Sequence, residues 1–236
     1  MLFGKEPSDV EVLNDIDGEL VNFFQVVKEC PEGLLKSFEW ELVSRKEFKR
    51  LAALEILGNL TEIQRAHRFY YLIMAGWGGE LNYPRFQTSI TDGGHGNRLI
   101  GALETLQARL KPVHERLKTV IIENLDWQDC IDRYDRVGTL MYLDPPYQEN
   151  GANYLHNMRD SEDHLELKER LDNCKCQWIM SAYDNRETRK LFADYWLTPI
   201  KSVSGMANKK NGNSRVANKE ILVSNYNPKN SRSGIE

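Results

Sequence analysis

The stretch Thr139-Leu140-Met141-Tyr142-Leu143-Asp144-Pro145-Pro146-Tyr147 decides how this chain is read. Its first five residues are β-branched, apolar or aromatic, which predicts a short buried strand. Two prolines then end it, because each removes a ladder donor and fixes φ. The strand stops at Asp144 and leaves a carboxylate, a stiff backbone and an aromatic ring at its carboxyl end. In an open α/β sheet that rim is where ligands bind. A strand with a rigid turn would account for Asp-Pro alone. The acid, the paired prolines and the ring together, placed after a core strand, point to a reactive site.

Working outward, further strands and helices flank this stretch. A strand is expected at 10–13, ending at Asn14-Asp15. A helix from Gly18 to Glu29 follows, with Leu20, Phe23, Phe24 and Val27 at helical spacing. Residues 110–120 read as a helix leading into a strand at 120–123. After the central stretch come a helix at 161–171, a strand at 177–181 and a helix at 186–192. Two further strands are expected at 197–203 and 219–224. Tyr183-Asp184-Asn185 would share the rim with Asp144. From about 40 to 117 the chain reads mostly helical. Ser44-x-x-Glu47 suggests a capping box ahead of Phe48, Leu51, Leu54 and Leu57. A second helix begins at Thr61, with Phe69 and Leu72 inward. The glycine-rich stretches 75–80 and 88–97 read as loops.

Composition bounds the answer without naming it. At 236 residues the chain suits one sizeable α/β domain or a domain with an inserted subdomain. Hydrophobic residues make up 41%, enough for a core, and the net charge of −4 excludes a generally basic nucleic-acid coat. No apolar run approaches the roughly 20 residues that span a bilayer, and no signal peptide is evident, so a cytoplasmic protein without a membrane partner is expected. Cys30, Cys130, Cys174 and Cys176 form neither a disulfide framework nor paired zinc knuckles. Cys174-x-Cys176 is tighter than the usual Cys-x-x-Cys pair, so free thiols are expected. The five histidines are scattered and show no ligand spacing.

Asp144-Pro145-Pro146-Tyr147 resembles the catalytic signature of the amino-methyltransferases, which methylate the exocyclic amine of a nucleobase. Val12-Leu13-Asn14-Asp15-Ile16-Asp17, running on through Gly18-Glu19-Leu20-Val21-Asn22-Phe23-Phe24, resembles the acidic motif of Dam-like adenine-N6 DNA methyltransferases. Trp178-Ile179-Met180-Ser181-Ala182-Tyr183-Asp184 and Lys219-Glu220-Ile221-Leu222-Val223-Ser224-Asn225-Tyr226 resemble that family's later strands, in the same order. The similarity covers nearly the whole chain, and the ordered set is far more specific than the four-residue signature. It implies an α/β chain with a Rossmann-like methyltransferase sheet, an antiparallel last strand and a mostly helical inserted target-recognition region. Residues 1–40 and 114–226 would form the catalytic domain, 41–113 the insert and 227–236 a disordered tail.

The resemblance also implies transfer of a methyl group from S-adenosylmethionine to adenine in DNA, with no metal. Asp15 would accept from the cofactor's ribose hydroxyls, with Asp17 capping the following helix. Asp126 would accept from the cofactor's adenine amine beside a Trp127 wall. Asp129 competes for that role, and a helix cap is the plain alternative for each acid. The target adenine must leave the double helix to be reached. Asp144 and the Pro145 carbonyl would accept its two amine hydrogens, with Pro146 stiffening the backbone and Tyr147 stacking on the base. Tyr154 would flank that base. Lys209, Lys210, Asn211 and Arg215 lie where the family has a DNA-contacting hairpin that neutralises phosphates. Arg65, Arg68, Asn82, Arg85 and Gln87 are candidates for base edges or phosphates, and Trp77 and His95 for loop contacts.

One departure sets a second expectation beside the first. The family begins with a strand and a Phe-x-Gly-x-Gly-type loop, whereas only residues 1–7 stand before the strand at 10–13. An N-terminally truncated reading of a longer gene, an N-terminally truncated, inactive DNA-binding remnant, or a second chain completing the cofactor loop would each fit that beginning. A restriction enzyme is a further expected partner. Related Asp/Asn-Pro-Pro-Tyr enzymes methylate RNA or protein glutamine, but the helical insert and the motif order speak against that class.

Overall fold

The strand expected at 10–13 forms one residue later, as β1 (Glu11–Asn14), in a computed structural model that is a mixed α/β chain. The structure describes residues 2–53, 58–79, 81, 84–88, 97–146, 161–201 and 219–229. They fall into two compact units, residues 1–130 and 131–236. Among the described residues, no helix is long and apolar enough to cross a membrane.

In the first unit β1 pairs in parallel with β2 (Val120–Glu123), placing Glu11 opposite Val120 and Asn14 opposite Glu123. Parallel pairing needs a long crossover, and among the described residues it holds six α-helices: α1 (Gly18–Glu29), α2 (Pro31–Ser37), α3 (Arg45–Ala52), α4 (Glu62–Ala75), α5 (Arg98–Glu104) and α6 (Leu106–Leu117). Local chemistry starts each of the first four. Asp17 caps α1 by accepting from Glu19 N at 2.9 Å. Pro31 opens α2, where a missing N–H costs nothing. Ser44 accepts from Glu47 N at 3.0 Å, but the Glu47 carboxylate turns to Arg50, so only half of the expected capping box forms. The complete box belongs to Thr61 and Gln64 at the start of α4. Leu54 and Leu57 lie outside the described residues.

Helix α4 is the hub of this unit. Its Ala66, Tyr71, Leu72 and Ala75 are fully buried, together with Val27, Leu34, Leu99, Leu117 and Val120. Residues of the region 41–113 therefore share one core with α1 and α2. Tyr71 is buried with its polar end satisfied: the hydroxyl donates to Leu42 O at 2.9 Å and accepts from Ser44 N at 3.1 Å. Glu11, at the start of β1, is 7% exposed and held by Arg116 and Lys5. Those hydrogen bonds pull its carboxyl down to about 2.

The chain enters the second unit within α7 (Trp127–Tyr134). That unit carries β3 (Leu140–Leu143), α8 (Ser161–Asp172), β4 (Gln177–Tyr183), α9 (Arg186–Leu191), β5 (Trp196–Lys201) and β6 (Lys219–Ser224). The sheet order is β3-β4-β6-β5; β3 runs parallel to β4, and β6 is antiparallel to both its neighbours. β4 is the buried centre: its Trp178 and Met180 are buried, as are Leu167, Leu171, Phe192, Ile221 and Val223 of the same unit. The Trp178 indole donates to Leu171 O at 3.2 Å, so its one polar atom is paired.

The central stretch forms a strand but not the buried one that its composition predicts: Leu140 is 60% and Tyr142 42% exposed. The reason is position: β3 pairs only with β4 and forms the sheet's edge among the described residues. Apolar composition shows that a strand forms, not how many neighbours cover it.

Candidate active site

Asp144 follows the last residue of β3, and register places Leu143 opposite Met180. The next residue of β4, Ser181, therefore lies beside Asp144. It is 4% exposed, and its hydroxyl donates to Asp144 Oδ1 at 2.5 Å. Leu143 O stands 3.4 Å from the same hydroxyl. One hydroxyl has one hydrogen, and the shorter, charge-assisted partner takes it. A buried strand thus fixes the direction of an exposed carboxylate. Pro145 and Pro146 follow, half-buried, with φ restricted by their rings. Tyr147 and Tyr154 lie outside the described residues.

Farther along the same rim, Asp184 and Arg189 form a bidentate ion pair whose second arm, Nη2 to Oδ2, is 2.9 Å. Asn185 caps α9 by accepting from Thr188 N at 2.7 Å. Asn225, just past β6, extends the sheet with its side chain: Trp178 N donates to its Oδ1 at 2.9 Å, and its Nδ2 donates to Cys176 O at 2.9 Å.

In the first unit the acids implied for the cofactor both stand at the carboxyl ends of parallel strands, Asp15 after β1 and Asp126 three residues past β2. Two asparagines lash these loops together. Asn14 Nδ2 donates to Leu125 O at 3.1 Å while its Oδ1 accepts from Leu125 N at 2.8 Å. In return, Asn124 Nδ2 donates to Asp15 O at 2.8 Å and to Ile16 O at 3.1 Å. Each side-chain amide imitates one more rung of backbone ladder where the strands have ended. Asp15 Oδ1 accepts from Asp17 N at 2.8 Å, which closes a turn. Asp126 Oδ1 accepts from Gln128 N at 3.0 Å at the head of α7, so the cap reading holds for one oxygen of this exposed carboxylate. Trp127, half-buried, is the first residue of that helix. Asp129, the competing acid, lies exposed one turn into the same helix.

The residues expected to touch DNA are placed as follows. Arg65 pairs with Glu19 of α1, Nε to Oε1 at 3.0 Å. Arg68 is 6% exposed and donates from Nε to Leu51 O at 2.6 Å. Gln87 is buried and Arg85 exposed, while Trp77 is half exposed at 49%. Asn82, His95, Lys209, Lys210, Asn211 and Arg215 lie outside the described residues. Ser181, Asn14 and Asn124 stand in the stretches singled out by sequence but carry no predicted role. The available signal was polarity out of place: a serine among Trp178-Ile179-Met180 and Ala182, and asparagines at strand ends.

Residues 3–208 match the family described as D12 class N6 adenine-specific DNA methyltransferase. The chain belongs to this family. Members of the D12 class methylate the N6 amine of adenine in DNA and use S-adenosylmethionine as methyl donor. The chain is also similar to the Type II methyltransferase M1.LlaDCHI of Lactococcus lactis subsp. cremoris, at 22% identity over 235 residues, which cover 91% of this chain and 79% of that protein. Against that membership the acids after β1 and β2 gain meaning. Carboxylates on a parallel-strand rim, with an indole beside them, suit a ligand rich in hydroxyl and amine donors. This donor set fits S-adenosylmethionine.

Proposed function

We propose that this D12-class chain methylates adenine within a specific short DNA sequence, as a Type II modification enzyme. The observation that carries the chemistry is the buried Ser181 hydroxyl holding the Asp144 carboxylate at the end of β3. Adenine's exocyclic nitrogen is a poor nucleophile because its lone pair is delocalised into the ring. Asp144 accepts one amine hydrogen, and the Pro145 carbonyl, aimed by the restricted Pro145-Pro146 backbone, accepts the other. Two acceptors draw the nitrogen toward tetrahedral geometry and localise its lone pair. Tyr147 stacks on the base, which has been flipped from the duplex. S-adenosylmethionine supplies, when bound, an electrophilic methyl on a sulfonium.

Asp15 would hold its ribose hydroxyls and Asp126 its adenine amine, with Trp127 as the neighbouring wall. The lashing of Asn14 to Leu125 and of Asn124 to Asp15 and Ile16 supports this reading, because it fixes both acid-bearing loops before any ligand arrives. The fold expected for this work is a Rossmann-like sheet with residues 41–113 as the target-recognition region. Lys209, Lys210, Asn211 and Arg215 grip phosphates without reading sequence.

The test is transfer of tritiated methyl from S-adenosylmethionine to adenine-containing DNA by the full chain. N6-methyladenine in the digested product, absent with Asp144→Ala, is the expected result. A folded chain that leaves DNA unlabelled would overturn the reading.

A further inference from the structure

At the other end of β4 from Ser181, three potential ligands converge. Asp135 directly follows α7, and its Oδ1 accepts from Lys175 N at 2.7 Å and from Cys176 N at 2.8 Å. The 174–176 turn is thereby wrapped around the carboxylate. The sulfurs of Cys174 and Cys176 and a carboxylate oxygen of Asp135 all lie within 4.8 Å of one another. Cys176 is 2% exposed, whereas Cys174 is half-buried on the wall of a cleft of about 360 Å³. Asp132, Asp135, Glu166 and Glu169 line the same cleft, with Arg170 paired to Asp132. Four carboxylates against one guanidinium make it attractive to cations. None of these groups serves the methyl-transfer chemistry, since register sets this turn beside Thr139 and Leu140, at the end of β3 away from Asp144.

We propose that Asp135, Cys174 and Cys176 form a binding site for a thiophilic divalent cation such as Zn²⁺, entered from the acidic cleft. Two sulfurs and one oxygen are a donor set for zinc rather than for magnesium or calcium, which take oxygen ligands alone. The close Cys-x-Cys spacing, which from sequence argued against a ligand pair, is completed by an acid contributed from the end of α7. A disulfide between the two cysteines would need no carboxylate. The two backbone N–H groups on Asp135 orient it as outer hydrogen bonds orient metal-ligating carboxylates. Binding exchanges two S–H protons, released to solvent, for two metal–sulfur bonds, with no change of oxidation state. The ion would clamp the end of α7 to the start of β4.

The test is titration of the reduced, metal-free full chain with Cd²⁺, read by thiolate-to-metal charge-transfer absorbance, followed by displacement with Zn²⁺. A band saturating at one equivalent is expected. It should be lost in Cys176→Ser and weakened at least about tenfold in Asp135→Asn, which keeps the oxygen that accepts the two backbone bonds and so spares the turn. Cys30→Ser with Cys130→Ser should leave the band unchanged. Absence of the band, a band indifferent to Asp135→Asn and Cys174→Ser, or recovery of the pair as a disulfide that binds no metal would each overturn the proposal.

Discussion

The Ser181 hydroxyl, buried in the central strand of the second unit, donates to Asp144 Oδ1 at 2.5 Å across the β3–β4 pair. A hydrogen bond to a charged group contributes about 1.5–3 kcal/mol, which corresponds to roughly ten- to hundredfold in rate when it orients the acceptor in the reaction. Ser181→Ala should lower kcat for adenine methylation by that factor. KM for DNA should change little, because the alanine fills most of the same space and leaves the base-contacting groups in place. A variant with unchanged kcat would show that Asp144 needs no such support.

The amide lashing of the first unit predicts a different signature. Asn124→Ala removes both bonds to the Asp15–Ile16 backbone, and Asn14→Ala leaves Leu125 N–H without its partner. Each should weaken S-adenosylmethionine binding in calorimetric titration, and Asn14→Ala should also cost about 1–3 kcal/mol of stability. Asp15→Ala should weaken the cofactor more than either. Wild-type affinity in Asn124→Ala would mean the loop holds its shape unaided.

DNA affinity offers a contrast between two groups of cations. Lys209→Gln and Lys210→Gln should each reduce the slope of log affinity against log salt by about one. Arg68→Met should leave that slope unchanged and lower stability instead, since it removes the donor to Leu51 O. The opposite pattern would place Arg68 on the DNA.

Acid sensitivity should trace to His67. Its ring stacks on Phe38 at 4.0 Å and meets Glu41 at 2.9 Å, but burial pushes the imidazole down to about 4, so the contact is a hydrogen bond of the neutral ring rather than an ion pair. Unfolded, the ring takes a proton near 6.5. Between those values the unfolded chain binds more protons, so stability present above pH 6.5 is lost as pH falls toward about 4. Glu41, raised by burial, works in the opposite sense, because its folded carboxyl takes up a proton first. His67→Gln should flatten the decline in thermal midpoint over that window. Equal slopes in the two proteins would assign the decline elsewhere.

Much of the secondary structure was legible because periodicity and end signals are local. The helix from Gly18 to Glu29 and the strand from Lys219 to Ser224 fall where the pattern placed them. Exposure of Leu140 and Tyr142 was not legible, since it depends on which strands lie alongside β3. The same limit hid Ser181, whose role exists only through the register that sets Met180 opposite Leu143. It also hid Asp135, which reaches the cysteines through the fold and not through spacing. Arg68 illustrates the reverse case: a forked side chain suited to base edges is spent on a buried carbonyl.

The asparagine straps also govern how the protein ages. Together they make four hydrogen bonds across these loops, and slow hydrolysis of Asn124 would turn a double donor into a carboxylate set against the carbonyl oxygens of Asp15 and Ile16. Strands and core would be untouched. A stored preparation would keep its spectrum and melting profile while its grip on the methyl donor faded, so freshness must be judged by binding and not by fold.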